Sequence, residues 1–173
     1  MPVYQVFPIS ERVTELVRCL ATSLDSQTGG ETRKCATDEL EIFRYSLSTE
    51  YWDFTREYLR NVANTIRHPA NDMELRAPPQ RPLFFHYIQG WLSTQSDDVG
   101  VILPILHKGS TEGNIRIWSA TENLSYTLPL EPCKMIVLST EVRFQVSAHI
   151  PLVLILHPIS PEQQRPVGSD EDP

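Results

Sequence analysis

The sequence contains little glycine and no long apolar run. Seven glycines stand against 14 prolines in 173 residues, and because proline breaks helices and central strands, we expect few long helices and many turns. The longest apolar run, residues 152–156, is far too short to cross a bilayer. The first ten residues have neither the basic start nor the continuous apolar run of a signal peptide. These absences predict a soluble, intracellular protein without a membrane partner.

Basic residues and paired cysteines are also scarce. The 15 lysines and arginines are outnumbered by 22 aspartates and glutamates, which gives a formal charge of −7 and a pI near 5.2. A protein that binds the phosphate backbone carries the opposite charge, so nucleic acid is not expected as a partner. Cys19, Cys35 and Cys133 form no C-x-x-C pair. We therefore expect neither a disulfide framework nor a cysteine zinc site.

The remaining composition is that of an ordinary globular protein. Hydrophobic residues make up 40% and charged residues 21% of a chain whose length fits one domain. We predict one domain over residues 1–159, with a helical part at 1–68, a proline-rich connector at 69–82 and a β-rich part at 83–159. Residues 160–173 contain almost no apolar side chain and end in acidic residues, which predicts a disordered tail.

The first 68 residues contain the helical signals. Apolar residues at helical spacing follow Ser10, and they predict a first helix from Ser10 to about Leu24. Residues 25–38 are polar and show no period, so they are expected to form a loop. The partial alternation in residues 39–47 indicates a short strand.

The second predicted helix is rich in aromatic side chains. Ser48 can cap it, and Pro69 ends it because the residue before proline is pushed out of the helical region. Its core face is assigned to Trp52, Leu59, Val62, Ala63 and Ile66. On this assignment Tyr51 and Tyr58 share a face and Phe54 points away. Exposed aromatic side chains at a protein interface would explain this pattern, and so would a helix buried on two sides.

Seven short apolar segments follow the connector, and polar turns separate them. Because no helical segment lies between them, they favour antiparallel pairing in a sandwich or barrel. The predicted fold class is α+β, with N-terminal helices packed on a C-terminal antiparallel sandwich or barrel, which the resemblance described next identifies as a jelly roll. Alternation with a period of two predicts the following inward side chains: Ile115, Ile117, Ile136, Leu138, Phe144, Val146, Val153 and Ile155.

The order and spacing of these segments resemble the double-stranded β-helix of the iron- and 2-oxoglutarate-dependent oxygenases, in particular the prolyl-hydroxylase type. In that family a Gly-Gly-x-Leu-Arg strand precedes a Pro-x-x-Gly step, a strand with His-x-Val and a closing strand. The first two motifs are matched in part by Glu112, Gly113, Ile115 and Arg116, and by Pro132 and Lys134. The resemblance covers about half of the chain and implies a jelly roll built to hold Fe²⁺ and 2-oxoglutarate.

The residues that hold these ligands in the family are missing. Iron requires two histidines and a carboxylate, the first pair written His-x-Asp or His-x-Glu, and none of the five histidines has Asp or Glu two residues on. The distal histidine of the family falls on Phe144, which cannot ligate a metal. The family also pairs the carboxylate of 2-oxoglutarate with Lys or Arg on the closing strand, whereas residues 148–164 contain neither.

Two functions follow from this comparison. The first is a non-catalytic jelly roll without a cofactor, which acts through protein contacts or a plugged pocket and has Phe144 at the lost ligand position. The second is a metal-dependent oxygenase with a rearranged site for Fe²⁺ and 2-oxoglutarate. Its candidate ligands, each also explained as an ordinary core or surface side chain, are His86, His107, His149, Glu112 and Asp98. The Asp97-Asp98 pair is assigned to the solvation of a hairpin, in preference to a cation site.

Overall fold

The computed structural model describes residues 2–25, 30–35, 39–106, 113–147 and 149–160. These residues form two α-helices and eleven strands. In chain order they are β1 (Tyr4–Pro8), α1 (Glu11–Asp25), β2 (Gly30–Cys35), β3 (Leu40–Tyr45), α2 (Thr49–Glu57), β4 (Leu83–Gln89), β5 (Leu92–Ser93), β6 (Asp98–Pro104), β7 (Asn114–Ser119), β8 (Leu124–Pro129), β9 (Lys134–Leu138), β10 (Val142–Val146) and β11 (Pro151–Pro158).

Both helices begin where the sequence predicts. The Ser10 hydroxyl accepts a hydrogen bond from the Val13 backbone N–H at 3.3 Å, and the Ser48 hydroxyl accepts one from the Tyr51 N–H at 3.2 Å. Each bond satisfies one of the backbone donors that the first turn of a helix leaves free. The buried face of α1 is the predicted one: Val13, Leu16, Val17, Leu20 and Leu24.

The predicted core face of the second helix is confirmed at Ala63 and Ile66, which are buried, and is wrong at Trp52 and Leu59. Tyr51, Phe54 and Tyr58 are buried, whereas Trp52 and Leu59 are 41% and 43% exposed. A π-helical turn, Tyr58–Val62, follows α2 and leads into a 3₁₀ turn, Ala63–Thr65. A π turn accommodates one more residue than an α turn, so it shifts the helical face by one position. If α-helical spacing is assumed for the whole segment, counting back from Ile66 in steps of seven places Leu59 and Trp52 on the buried face. The structure buries their neighbours Tyr58 and Tyr51 instead.

The strands form two antiparallel sheets. The larger sheet has the order β1-β9-β6-β11-β4-β3-β2 and the smaller has the order β5-β10-β7-β8. From β4 to β11 the chain passes back and forth between the sheets, except that the consecutive strands β7 and β8 both belong to the smaller sheet. All pairings of these strands are antiparallel. The segment predicted as the first strand divides into β4 and β5 at Gly90, whose φ of +97° is a conformation that favours glycine.

The N-terminal part contributes strands as well as helices. The prediction of a loop over residues 25–38 is wrong for Gly30–Cys35, which forms the edge strand β2 and pairs with β3. Strand β1 adds to the opposite edge through β9. The larger sheet is thus built from both parts of the chain, and the N-terminal part contains strands β1, β2 and β3 beside its helices. The predicted acidic tail lies outside the described residues from position 161 onward.

Two apolar layers hold the fold together. An outer layer joins α1, α2 and the outward face of the larger sheet, and an inner layer fills the space between the two sheets. All eight side chains predicted to face inward are buried. Val153 and Ile155, however, lie in the outer layer beneath the helices. Within the described residues, no helix is long and apolar enough to span a membrane.

Candidate functional site

The space between the two sheets is the place where a jelly roll of this type would hold a ligand, and apolar side chains fill it. The inner layer consists of Val3, Phe85, Tyr87, Ile102, Ile115, Ile117, Leu130, Ile136, Leu138, Val142, Phe144, Val146, Ile150, Leu152 and Leu154. The hydroxyl of Tyr87 donates to the Gly90 carbonyl at 2.6 Å. The Tyr87 hydroxyl therefore already has a hydrogen-bond partner within the protein.

Phe144 lies at the centre of the smaller sheet and is 0% exposed. On one side it is paired with Leu92 of β5, and on the other with Ile117 of β7. Directly opposed residues in antiparallel strands have Cβ atoms about 5 Å apart. A metal-ligating side chain at position 144 would therefore have positions 92 and 117 as its nearest neighbours for a second metal ligand. Leu92 and Ile117 occupy these positions, and neither side chain can bind a metal.

Thr94 is a buried polar side chain just after β5, and backbone groups occupy its hydroxyl. The hydroxyl accepts from the Val142 N–H at 3.0 Å and donates to the Ser139 carbonyl at 2.8 Å. The Thr94 methyl group packs so closely on Gly100 that a Cβ added there would lie 2.8 Å from it. No methyl-sized space is left at this point.

The closing strand β11 supplies no cation. Its inward side chains are Leu152 and Leu154, and its sequence, PLVLILHP, contains neither Lys nor Arg. A dicarboxylate bound between the sheets would leave a charge unpaired in an apolar layer, which costs several kcal/mol or more.

The predicted metal ligands that lie in the described part of the chain do not form a cluster. His86 of β4 is partly buried, and its Nδ1 lies 3.0 Å from the Tyr45 hydroxyl; it is paired with Phe43 on the neighbouring strand. His149 is exposed but close enough to lower the pKa of His86 further, after the larger effect of burial. His107 and Glu112 lie outside the described residues. Among the residues that the structure covers, no three ligating side chains converge.

Asp98 differs from its assignment by sequence. Asp97 is exposed, as expected for hairpin solvation, but Asp98 at the start of β6 is only 7% exposed. Burial raises the pKa of the Asp98 carboxyl, and the neighbouring charge of Asp97 raises it further. The assignment to solvation is therefore wrong for Asp98.

A buried polar pair that the sequence did not indicate lies on the other side of the larger sheet. The Tyr58 hydroxyl in the π turn is 2.6 Å from Nε2 of His157 on β11. Both side chains are buried, and burial lowers the pKa of His157 to about 4 and raises the pKa of Tyr58. Both groups are thus neutral at neutral pH. They are 99 residues apart in the chain, so no local pattern could have paired them.

Two surface grooves border the helices. One, of about 790 Å³, runs along α1 and α2 and contains an exposed ion pair between Arg12 and Glu15 at 2.6 Å. The other, of about 390 Å³, lies between the end of β1 and the π turn. Neither groove is lined by a side chain of the inner layer, so neither provides a route to the space around Phe144.

Comparison with known proteins supports the fold. No protein-family model matches the chain, and no curated protein matches it. Among solved structures, a prolyl-4-hydroxylase from Pseudomonas putida aligns with a TM-score of 0.57 and 11% identity, over 91% of this chain and 92% of the other. The non-heme α-ketoglutarate-dependent epimerase SnoN from nogalamycin biosynthesis aligns with a TM-score of 0.58 and 8% identity, over 99% and 85% of the two chains.

The chain therefore has a prolyl-hydroxylase-like double-stranded β-helix fold. This confirms the predicted resemblance at the level of architecture. At such low identity the shared fold does not carry the activity with it, because function depends on the side chains of the site.

Proposed function

We propose that this protein is a non-catalytic jelly roll that acts through contacts with another protein. The observation that carries the proposal is the filled interior, in which Phe144 is fully buried between Leu92 and Ile117. A side chain in that position occupies the volume that a metal and its co-substrate would require. Moving the Phe144 ring out of this densely packed core would be energetically costly. The interior therefore serves to stabilise the fold by packing.

The pairing of β5 with β10 extends the comparison with the oxygenase motif. If the distal histidine of the oxygenases corresponds to Phe144, the residue directly opposite it on β5 is Leu92. The residue two positions after Leu92 is Thr94. A His-x-carboxylate pair at these positions would complete a facial triad with the distal histidine. Here Leu-Ser-Thr stands in its place. In this register all three ligand positions carry residues that contribute to packing or to backbone hydrogen bonds.

A protein partner fits the surface better than the other classes of ligand. Trp52 is 41% exposed, and the Arg81 guanidinium lies 5.0 Å from the centre of its ring. Tryptophan and arginine are the residues most enriched at the energetic centres of protein interfaces. The formal charge of −7 argues against nucleic acid. An intracellular location belongs to the same proposal.

The second candidate is a metal-dependent oxygenase with a rearranged site. The proximity of His86 and His149 favours it, since two imidazoles within electrostatic range are the beginning of a metal site. Against it, Tyr45 already contacts Nδ1 of His86. His86 is also paired with Phe43, and neither belongs to the inner layer around Phe144.

Metal analysis and a turnover assay separate the two candidates. Protein purified and then incubated with Fe²⁺ and 2-oxoglutarate should contain no stoichiometric iron after desalting and should not consume 2-oxoglutarate. Stoichiometric iron together with turnover would refute the proposal. A His86→Ala, His149→Ala variant, treated in parallel, would then show whether these two side chains hold the metal.

A further inference from the structure

The two free edges of the larger sheet differ in their chemistry. Strand β2 at one edge carries Glu31, Arg33 and Lys34, and charged side chains discourage pairing with another chain. Strand β1 at the other edge, Tyr4–Pro8, carries no charged side chain, and its central Val6 is 42% exposed. The larger sheet is thus protected against strand addition at one edge only.

The register of β1 against β9 fixes which backbone groups of β1 point outward. The Val3 carbonyl accepts from the Ser139 N–H at 2.9 Å, and the Ile9 N–H donates to the Cys133 carbonyl at 3.0 Å. Because bonding alternates along an antiparallel strand, the odd-numbered residues bond to β9 and the even-numbered ones point away.

The outward groups of β1 are therefore the carbonyl of Pro8 at the end of the strand and four groups within it, the N–H and C=O of Tyr4 and of Val6. No hydrogen bond to these four groups occurs in the described part of the chain. The side chain of Gln5 contacts the Pro69 carbonyl at 3.5 Å, which leaves the backbone edge itself open. Pro2 and Pro8, at the two ends, have no N–H to offer.

We propose that a second copy of this chain pairs with this edge, β1 against β1, with Tyr4 opposite Val6 of the other copy. In this antiparallel register Tyr4 of one copy exchanges two N–H···O bonds with Val6 of the other. The same pair of bonds forms again on the other side of the two-fold axis, which passes through Gln5. All the outward groups of Tyr4 and Val6 are satisfied. A register centred on Val6 instead places the Tyr4 carbonyl opposite Pro8, which has no N–H.

The side chains suit the same register. Tyr4 packs edge-on against Tyr126 of the smaller sheet, with ring centres 5.5 Å apart, so its ring is already held in place. An aromatic residue opposite a β-branched one is a favourable cross-strand pair, and Tyr4 of each copy would cover the exposed Val6 of the other. The interface is isologous, as expected for a symmetric dimer. The proposal does not depend on whether the interior is catalytic.

Sedimentation velocity from micromolar to millimolar protein tests the dimer. The wild type should form a dimer, and Val6→Lys should be monomeric with an unchanged circular dichroism spectrum, because a lysine blocks an edge strand without disturbing the core. Its urea midpoint should equal that of the wild type diluted to the monomer, since the dimer itself adds stability. The matched control is Leu124→Lys, at a 51% exposed position on the edge strand β8, and it should remain dimeric. A monomeric wild type, or a Val6→Lys dimer, would overturn the proposal and leave the edge to a different chain or to none.

Cysteine cross-linking tests the register. In a background where Cys19, Cys35 and Cys133 are replaced by serine, Gln5→Cys places the two thiols on opposed residues whose Cα atoms are about 4.5 to 5.5 Å apart, within the range of a disulfide. Mild oxidation should link Gln5→Cys into a covalent dimer, and Val6→Cys should stay unlinked. The reverse result would refute the Tyr4 to Val6 register. Neither outcome depends on iron or 2-oxoglutarate, so this test and that of the proposed function fail separately.

Discussion

The buried pair of Tyr58 and His157 should make the stability of the protein depend on pH. Burial lowers the pKa of His157 to about 4, from an ordinary value of 6.5. Between these values the unfolded chain binds a proton at His157 that the folded protein does not. The free energy of unfolding therefore falls as the pH falls through this interval, and the stabilisation from His157 is fully present only above about pH 6.5.

The size of the effect follows from the same two values. One tenfold change in proton affinity corresponds to about 1.4 kcal/mol, so the complete loss below pH 4 is about 3 kcal/mol. Between pH 7 and pH 5 the folded imidazole stays mostly neutral while the unfolded one becomes protonated, and the loss is about 2 kcal/mol. This is a large fraction of the stability of an ordinary domain.

Urea unfolding of the wild type and of His157→Gln, at pH 7 and pH 5, measures this contribution. The free energy of unfolding of the wild type should fall by about 2 kcal/mol more than that of the variant over this range. His68 and His86, whose pKa values burial also lowers, are present in both proteins, so their effects cancel. Equal pH dependence in the wild type and His157→Gln would refute the buried neutral imidazole.

Three further predictions concern the interior. Phe144→Ala should lower the free energy of unfolding by about 3 to 5 kcal/mol because it leaves a cavity, whereas Leu124→Ala at the surface should be nearly silent; an unchanged urea midpoint for Phe144→Ala would contradict the buried position. Leu92→His combined with Phe144→His should show no rise in melting temperature on addition of Zn²⁺, because the cation would have only two neutral ligands in an apolar layer, and a rise would contradict the closed interior. Burial raises the pKa of Asp98, so the free energy of unfolding of the wild type falls as the pH rises through that raised value. The free energy of unfolding of Asp98→Asn should therefore exceed that of the wild type by more at pH 7 than at pH 4. The same gain at both pH values in urea unfolding would show that the carboxyl is solvated.

The β-rich part could be predicted because its signals are local. Side chains of one strand alternate between two faces, and a turn residue such as Gly90 marks the end of a strand wherever it lies. The inward assignment of Ile115, Ile117 and Phe144 depended only on this alternation, and all three are buried. The missing His-x-Asp motif and the absence of a cation on the closing strand were visible in the same way, since both are properties of short segments.

The edge strands and the second helix could not be predicted from such patterns. Strand β2, with the sequence GETRKC, is exposed along its described side chains, so neither face carries an apolar signal and only its pairing with β3 makes it a strand. The face of the second helix depends on the π turn at Tyr58–Val62. That turn brings Tyr58 to His157 of β11, a contact between segments that are distant in the chain.

The sequence by itself thus predicted the jelly-roll order of the strands, the apolar character of the interior and the absence of a His-x-Asp motif, because each follows from residue type and short-range spacing. The tertiary structure decided which residues face one another across that interior. It placed Leu92 opposite Phe144, buried Asp98 beside an exposed Asp97, and joined β1 to β9 so that Tyr4 and Val6 turn their backbone groups outward. These relations depend on sheet pairing between distant segments, and pairing of that kind has no signature in either segment alone.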